Sequence, residues 1–176
     1  MAGKGSRLGR FDSEDRFCRF NSRLGWITLA ASPDGLRGLW FEGQHYFPDL
    51  PDRLPDTIED VLKEAEHQLQ AYFSGQRQDF DLPLDLSRGT DFQRGVWQAL
   101  INLPFGSTTT YANLARQIGR PDAVRAVGAA IGRNPISVIV PCHRVLGTDG
   151  SLTGYAGGLE RKIELLRIEG HHDLLG

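Results

Sequence analysis

Cysteine is scarce in this chain. Cys18 and Cys142 are the two among 176 residues, too few for the framework of a small secreted domain stapled by disulfides. Long apolar runs are missing as well: no stretch approaches the roughly 20 residues that a membrane-spanning helix needs. The polar, glycine-containing start lacks the apolar core of a signal peptide, so the expectation is a soluble, cytoplasmic protein with no membrane partner. Histidine is sparse, and His45, His67, His171 and His172 stand at no metal-ligand spacing from either cysteine, so no metal site is expected. A nucleotide-cradling loop is also absent, because the glycine-rich residues 154–158 do not follow the GxxxxGK[ST] pattern. What the chain does have, with 40% apolar residues, is enough for a real core.

The net charge of −2 hides a division. Residues 1–85 hold ten Lys and Arg against fifteen Asp and Glu, whereas residues 86–176 hold ten against seven. Between residues 111 and 144 there are five arginines and the single acid Asp122. If a polyanion binds, it binds the second half, with modest and salt-sensitive affinity.

Taken in order, residues 1–15 offer no periodicity and read as a flexible tail. Residues 16–22, 24–32 and 36–42 read as three strands of a β-meander, with turn chemistry at Ser32, Pro33, Asp34 and Gly35. From Thr57, a plausible N-cap, Ile58, Val61, Leu62, Ala65, Leu69, Tyr72 and Phe73 recur at helical spacing up to a stop at Gly75. Residues 80–86 suggest a further short strand, and 85–89 a linker. Helices are expected over 91–102, with Phe92, Val96, Trp97 and Leu100 on one face, over 111–118, and from Asp122 to about Arg133. The last two, separated by a few residues including Gly119 and Pro121, have the form of a helix-turn-helix. A final helix covers 159–169. The fold class is α+β: an N-terminal support domain of a small sheet and helix (16–86), a C-terminal helical domain (90–170), and a short tail (171–176).

The helix after Pro121 carries Ala126, Gly128, Ala129 and Ala130 where a base-reading helix would show long polar side chains. Such small residues fit either packing against neighbouring helices or close approach to a sugar-phosphate wall. The chemistry concentrates in residues 134–144, Asn-Pro-Ile-Ser-Val-Ile-Val-Pro-Cys-His-Arg. The β-branched Val138, Ile139 and Val140 predict a short buried extended segment, and Pro141 stiffens the backbone just before Cys142. A thiol is inert until something removes its proton, and an apolar surround raises its pKa. His143 can take that proton directly or through a water, Arg144 can favour the anion, and Glu169 is the candidate to orient the imidazole.

Pro141-Cys142-His143-Arg144-Val145, preceded by Asn134-Pro135 and followed by Gly154-Tyr155-Ala156-Gly157-Gly158, Leu165-Leu166 and Glu169-Gly170, resembles the O6-alkylguanine-DNA alkyltransferases. The resemblance is strong from about Thr90 to Gly170 and weaker in the variable first half. It implies a winged helix-turn-helix in the C-terminal domain and direct, single-turnover repair. Cys142 would take the alkyl group from O6-alkylguanine in double-stranded DNA and keep it as a thioether, without a methyl donor, ATP or metal. By the same resemblance Asn134 braces the turn holding Cys142, and Tyr111 promotes rotation of the target nucleotide and donates to guanine N3. Arg125 fills the gap left in the base stack, on a helix whose Ala126 and Ala129 enter the minor groove. Tyr155, the backbone N–H of Ala156, the Val145 carbonyl and Lys162 line the base pocket. Where family members often carry serine, this chain has Ala156, which keeps the backbone donor and loses the side-chain one.

Activity on O4-alkylthymine, and cooperative assembly of an otherwise monomeric protein along DNA, stay open. Three other classes compete: a non-catalytic DNA-binding relative, which would lack the thiol; a redox regulator sensing oxidants through Cys142; and a cysteine hydrolase, for which adjacent Cys142 and His143 are a poor arrangement.

Overall fold

The computed structural model describes residues 10–52 and 60–173; the expected N-cap Thr57, with Ile58, lies outside them. Strands β1 (Arg16–Ser22), β2 (Gly25–Ser32) and β3 (Gly35–Phe41) form an antiparallel sheet in the order β1-β2-β3. Alternation sends Phe20, Ile27, Leu29, Leu39 and Phe41 to the main core, and Phe17, Ala30 and Trp40 to a second cluster on the opposite face. There Gly38 has no substitute, since a Cβ at that position would overlap the Trp40 ring.

Helix α1 (Asp60–Phe73) lays Leu62, Ala65, Leu69, Tyr72 and Phe73 onto the main-core side. The expected strand over 80–86 is reduced to one bridge, Leu36 to Leu84. Pro83 accepts a hydrogen bond from Leu36 N at 2.8 Å but has no N–H of its own, so a ladder cannot continue through it. Residues 10–15, expected in the tail, lie against the outer face of the sheet. Asp15 there is buried and pairs with Arg37 at 2.5 Å, and Arg88 of the connecting segment pairs with Asp12.

Thr90 caps α2 (Asp91–Ile101) in a reciprocal box with Gln93, satisfying two otherwise unpaired N–H groups. Buried Trp97 on this helix donates from its indole nitrogen to the Ala130 carbonyl at 2.8 Å, which locks α2 to the helix-turn-helix. That pair is α3 (Tyr111–Gln117), capped by Thr110, and α4 (Val124–Gly132). Helix α4 begins two residues later than expected because Arg120, Pro121, Asp122 and Ala123 close a turn, with Ala123 N donating to Arg120 O at 2.9 Å. Short β4 (Thr109–Thr110) and β5 (Val145–Leu146) pair in parallel, and α5 (Leu159–Ile168) completes the chain.

One continuous core joins the sheet, α1 and all the later helices. The free edge of β3 is also shared. Leu39 N donates to Pro135 O at 2.9 Å, and Ser137 N donates back to Leu39 O at 3.4 Å, so the sheet hydrogen-bonds directly to the segment preceding Cys142. Leu39→Ala should therefore lower stability by about 2–5 kcal/mol in a single transition. Urea unfolding followed by both circular dichroism and tryptophan fluorescence checks this; two separated transitions would contradict the shared core.

Candidate active site

The expected extended segment over Val138, Ile139 and Val140 is instead a set of tight turns. Ile139 N donates to Ser137 O at 2.9 Å across Val138, whose φ of 72° is left-handed. Such a backbone is costly for a β-branched residue. Cys142 N then donates to Val140 O at 2.8 Å across Pro141, at φ −82° and ψ 63°, an inverse γ-turn that the pyrrolidine ring readily accepts. Tertiary contacts overrode the strand propensity of this run: Val140 N donates back to Ile136 O at 2.9 Å and Val140 O accepts from the Asn134 side chain, in place of a ladder to a neighbouring strand. Asn134 is buried, donates from Nδ2 to Val140 O at 2.8 Å, and accepts from Ile136 N at 3.0 Å.

Those turns deliver Cys142 to a single turn of 3₁₀ helix, Cys142–Arg144, with 5% of its surface exposed. Its Sγ accepts a hydrogen bond from Asn134 Nδ2 at 3.1 Å. Burial pushes the thiol pKa up, while the Asn134 bond and the nearby Lys162 charge pull it down. Arg144, expected to favour the anion, points elsewhere: its Nη1 donates to Leu103 O at 2.6 Å, and its Nε and Nη2 reach Glu169. The cation near the sulfur is Lys162. It is buried, donates to Val145 O at 2.7 Å and Thr153 O at 3.3 Å, and is pushed down to about 8 by burial against the opposing influence of Cys142.

His143 is fully buried, with Nε2 2.7 Å from Glu169 Oε2. The same carboxylate accepts from Tyr72 OH at 2.5 Å, from Arg144 Nε at 2.7 Å and Nη2 at 2.9 Å, and from Gly106 N at 3.2 Å. Burial pushes Glu169 up, but the bonds from His143 and Arg144 outweigh it and hold the carboxyl well below its usual range. An ionised Glu169 makes Nε2 the protonated nitrogen of a neutral imidazole, because the carboxylate offers acceptors alone. Burial also holds His143 below its ordinary value, with Glu169 acting in opposition. The other ring nitrogen, Nδ1, is buried with no hydrogen-bond partner among the described residues, which leaves it a bare acceptor.

Tyr111 opens α3, and its hydroxyl lies 3.2 Å from Thr153 Oγ1. Pairing of β4 with β5 brings it beside the chain leaving Cys142. Tyr155 sits close to Cys142 and Ser137, with its hydroxyl buried and burial raising its pKa, while Ala156 O accepts from His45 N at 2.8 Å. On α4, Val127, Ala130 and Ile131 are buried whereas Arg125, Ala126 and Ala129 are exposed; of the small residues that fit either packing or docking, Ala126 and Ala129 therefore face outward. The residue missed from sequence is Tyr72. At an apolar helical position 97 residues from Glu169 it reads as core, and only its hydroxyl hinted at a buried partner. Among the described residues no cluster of three or more His, Cys, Asp or Glu could hold a metal, and no helix is long and apolar enough to cross a membrane.

Two family models divide the chain between them. Residues 18–86 match the 6-O-methylguanine DNA methyltransferase ribonuclease-like domain, and residues 91–171 match the DNA binding domain of the same name. The chain belongs to the 6-O-methylguanine DNA methyltransferase family. Methylated-DNA--protein-cysteine methyltransferase of Mycobacterium tuberculosis is 49% identical over 149 residues, covering 85% of this chain and 88% of that one. The protein of that name from Methanosarcina acetivorans is 47% identical over 151 residues, covering 86% and 96%. The crystal structure of M. tuberculosis OGT in complex with DNA superposes with a TM-score of 0.79 at 46% identity, over 88% of this chain and 92% of that one. The N-terminal sheet and C-terminal helices of this family are the α+β arrangement expected from the sequence.

Both His143 and Glu169 have pKa values depressed by the fold, so the unfolded chain takes up their protons first as pH falls. Stability should be fully present above about pH 6.5, the ordinary histidine value, and be lost on acidification through the carboxylate range. Tyr72→Phe should remove a further 1–3 kcal/mol or so by taking away one donor to a buried charge. Urea midpoints for both proteins between pH 8 and pH 4 test this; a midpoint that rises toward pH 4 contradicts it.

Proposed function

We propose that this chain repairs DNA by moving the alkyl group of O6-alkylguanine onto Cys142 in one irreversible turnover. The observation that carries this reading is the arrangement around one 3₁₀ turn: Asn134 on the sulfur, and a neutral imidazole held by an ionised Glu169 on the adjacent residue. His143 Nδ1 takes the thiol proton through a water, and the resulting imidazolium is stabilised by Glu169. Lys162 and the Asn134 amide meet the sulfur's charge. The thiolate attacks the alkyl carbon; a C–S bond forms as the C–O bond breaks, and the electron pair leaves with guanine, which is then protonated to the unmodified base.

A stacked guanine cannot bring its O6 substituent to the sulfur of a residue only 5% exposed, so the nucleotide must rotate out of the duplex. Exposed Ala126 and Ala129 let α4 approach the minor groove closely, Arg125 occupies the gap in the stack, and Tyr111 steers the rotating nucleotide. In the pocket, the Tyr111 hydroxyl, Ala156 N–H and Tyr155 meet the charge developing on guanine, and carbonyl oxygens of Cys142 and Val145 accept from its exocyclic amine. Lys162 holds Val145 O and Thr153 O together, and so ties one of those carbonyls to the residue whose hydroxyl meets Tyr111.

The chain acts as a monomer on double-stranded DNA. Residues 90–170 are its DNA-binding and acceptor part, and residues 16–86 brace it through Tyr72 and Leu39. At the other cysteine, Cys18, burial and Glu66 both push the thiol up, to about 12, whereas at Cys142 the Asn134 bond and the Lys162 charge oppose the effect of burial. The redox-sensor reading requires reversible oxidation at Cys142, whereas alkyl transfer leaves a permanent thioether.

Incubation with duplex DNA containing O6-methylguanine should add one methyl group per chain by intact-protein mass, and none to Cys142→Ala. An unchanged wild-type mass would overturn the proposal. Arg125→Ala should slow repair of duplex DNA by a factor corresponding to about 1–3 kcal/mol while slowing reaction with free O6-benzylguanine much less; equal losses would remove Arg125 from the extrusion step.

A further inference from the structure

The segment following β3 has no part in the chemistry above, yet it is built with care. Gln44 is buried; its Oε1 accepts from Phe41 N at 2.8 Å and its Nε2 donates to His45 O at 3.3 Å. His45 N is fastened to Ala156 O at 2.8 Å. Tyr46 then adopts a left-handed backbone, φ 61°, which a bulky residue avoids unless its surroundings dictate it. These constraints turn the aromatic side chains outward. His45, Tyr46 and Phe47 are consecutive exposed rings, with Tyr46 49% and Phe47 36% accessible. The His45 and Tyr46 ring centroids are 4.0 Å apart, and the Arg133 guanidinium lies over Tyr46 at 3.8 Å.

Position gives the rings a meaning. Arg133 is the residue closing α4 and directly precedes Asn134, which holds the Cys142 sulfur. Ala156 belongs to the loop proposed to meet the guanine. The aromatic segment thus bridges the end of the exposed α4 face and the mouth of the thiol site, from the N-terminal half of the chain. Rings left open to water beside an arginine are a poor surface for a second copy of this chain, given five arginines against one acid over residues 111–144. They suit a nucleobase, which stacks on aromatic and guanidinium planes while its phosphate meets the positive charge.

We infer that His45, Tyr46 and Phe47 with Arg133 form a stacking platform for an unpaired or unstacked nucleotide of the lesion-bearing strand, next to the one rotated into the Cys142 pocket. This rests on the DNA-repair reading above and extends it: the N-terminal half contacts DNA as well as bracing the acceptor domain. The platform supports the distorted strand once the target nucleotide has left the stack, and it does so without reading sequence, since every base offers a π-face.

The test uses the full chain carrying Tyr46→Ala and Phe47→Ala together, with alkyl transfer timed from an O6-methylguanine duplex and from free O6-benzylguanine. The duplex rate should fall by about tenfold, the scale of losing one base–aromatic stack, with a much smaller change for the free base. Single variants sharpen the result: Tyr46→Trp should keep the duplex rate and Tyr46→Leu should not. Equal losses on both substrates would mean that the segment only positions Ala156. No loss on duplex, or leucine serving as well as tryptophan, would likewise overturn the platform. If wild type takes no methyl group from DNA, the repair reading itself fails; if wild type and Arg125→Ala behave as expected and the double variant does not, this inference alone fails.

Discussion

Glu169 carries a negative charge out of reach of solvent, and the five donors around it are what make that tolerable. An isolated buried carboxylate would neutralise itself by taking up a proton. Here Tyr72, His143, the Nε and Nη2 of the Arg144 guanidinium and the Gly106 amide share its two oxygens. Because these donors come from α1, the segment between α2 and β4, and the 3₁₀ turn, their common acceptor sets the relation of three parts of the chain. The same charge fixes the tautomer of His143 and so decides which nitrogen is left to act as a base.

Geometry at the sulfur has a second requirement. Val138 in a left-handed conformation and Pro141 in an inverse γ-turn fold a short apolar run tightly enough that the Asn134 amide reaches both Val140 O and Cys142 Sγ. Removing Asn134 would take one bond from Val140 O and one from the sulfur. Strain at Val138 persists because surrounding contacts determine it from several sides, as is common where a reactive group must be held still.

Much of this was legible in the residues. Hydrophobic patterning together with turn and stop residues placed the meander and, among the described residues, the helices within a few residues. The pairing of His143 with Glu169 could be anticipated on chemistry alone, because an imidazole meant to act as a base needs an orienting group. Three things were not legible, for physical reasons. The run Val138 to Val140 has strand composition, but the chain turns away from β3 after the single bridge of Leu39 to Ile136. Lys162 holds the place expected of Arg144, because which cation nears the sulfur depends on side-chain direction and not on sequence distance. Tyr72 met Glu169 across 97 residues, a contact created by the packing of α1 on the later helices and invisible to local pattern.

The way β3 ends its lateral bonding has one more consequence. Its outer edge is met at Leu36 by Pro83 and Asp85 and at Leu39 by Pro135 and Ser137, so the row of backbone groups that could template a foreign strand is interrupted along its length. Uncovered sheet edges are the usual starting points of aggregation. On the repair reading proposed above, each lesion leaves one spent copy behind, and the interruption of the β3 edge removes one of the two margins of the sheet along which such copies could pair.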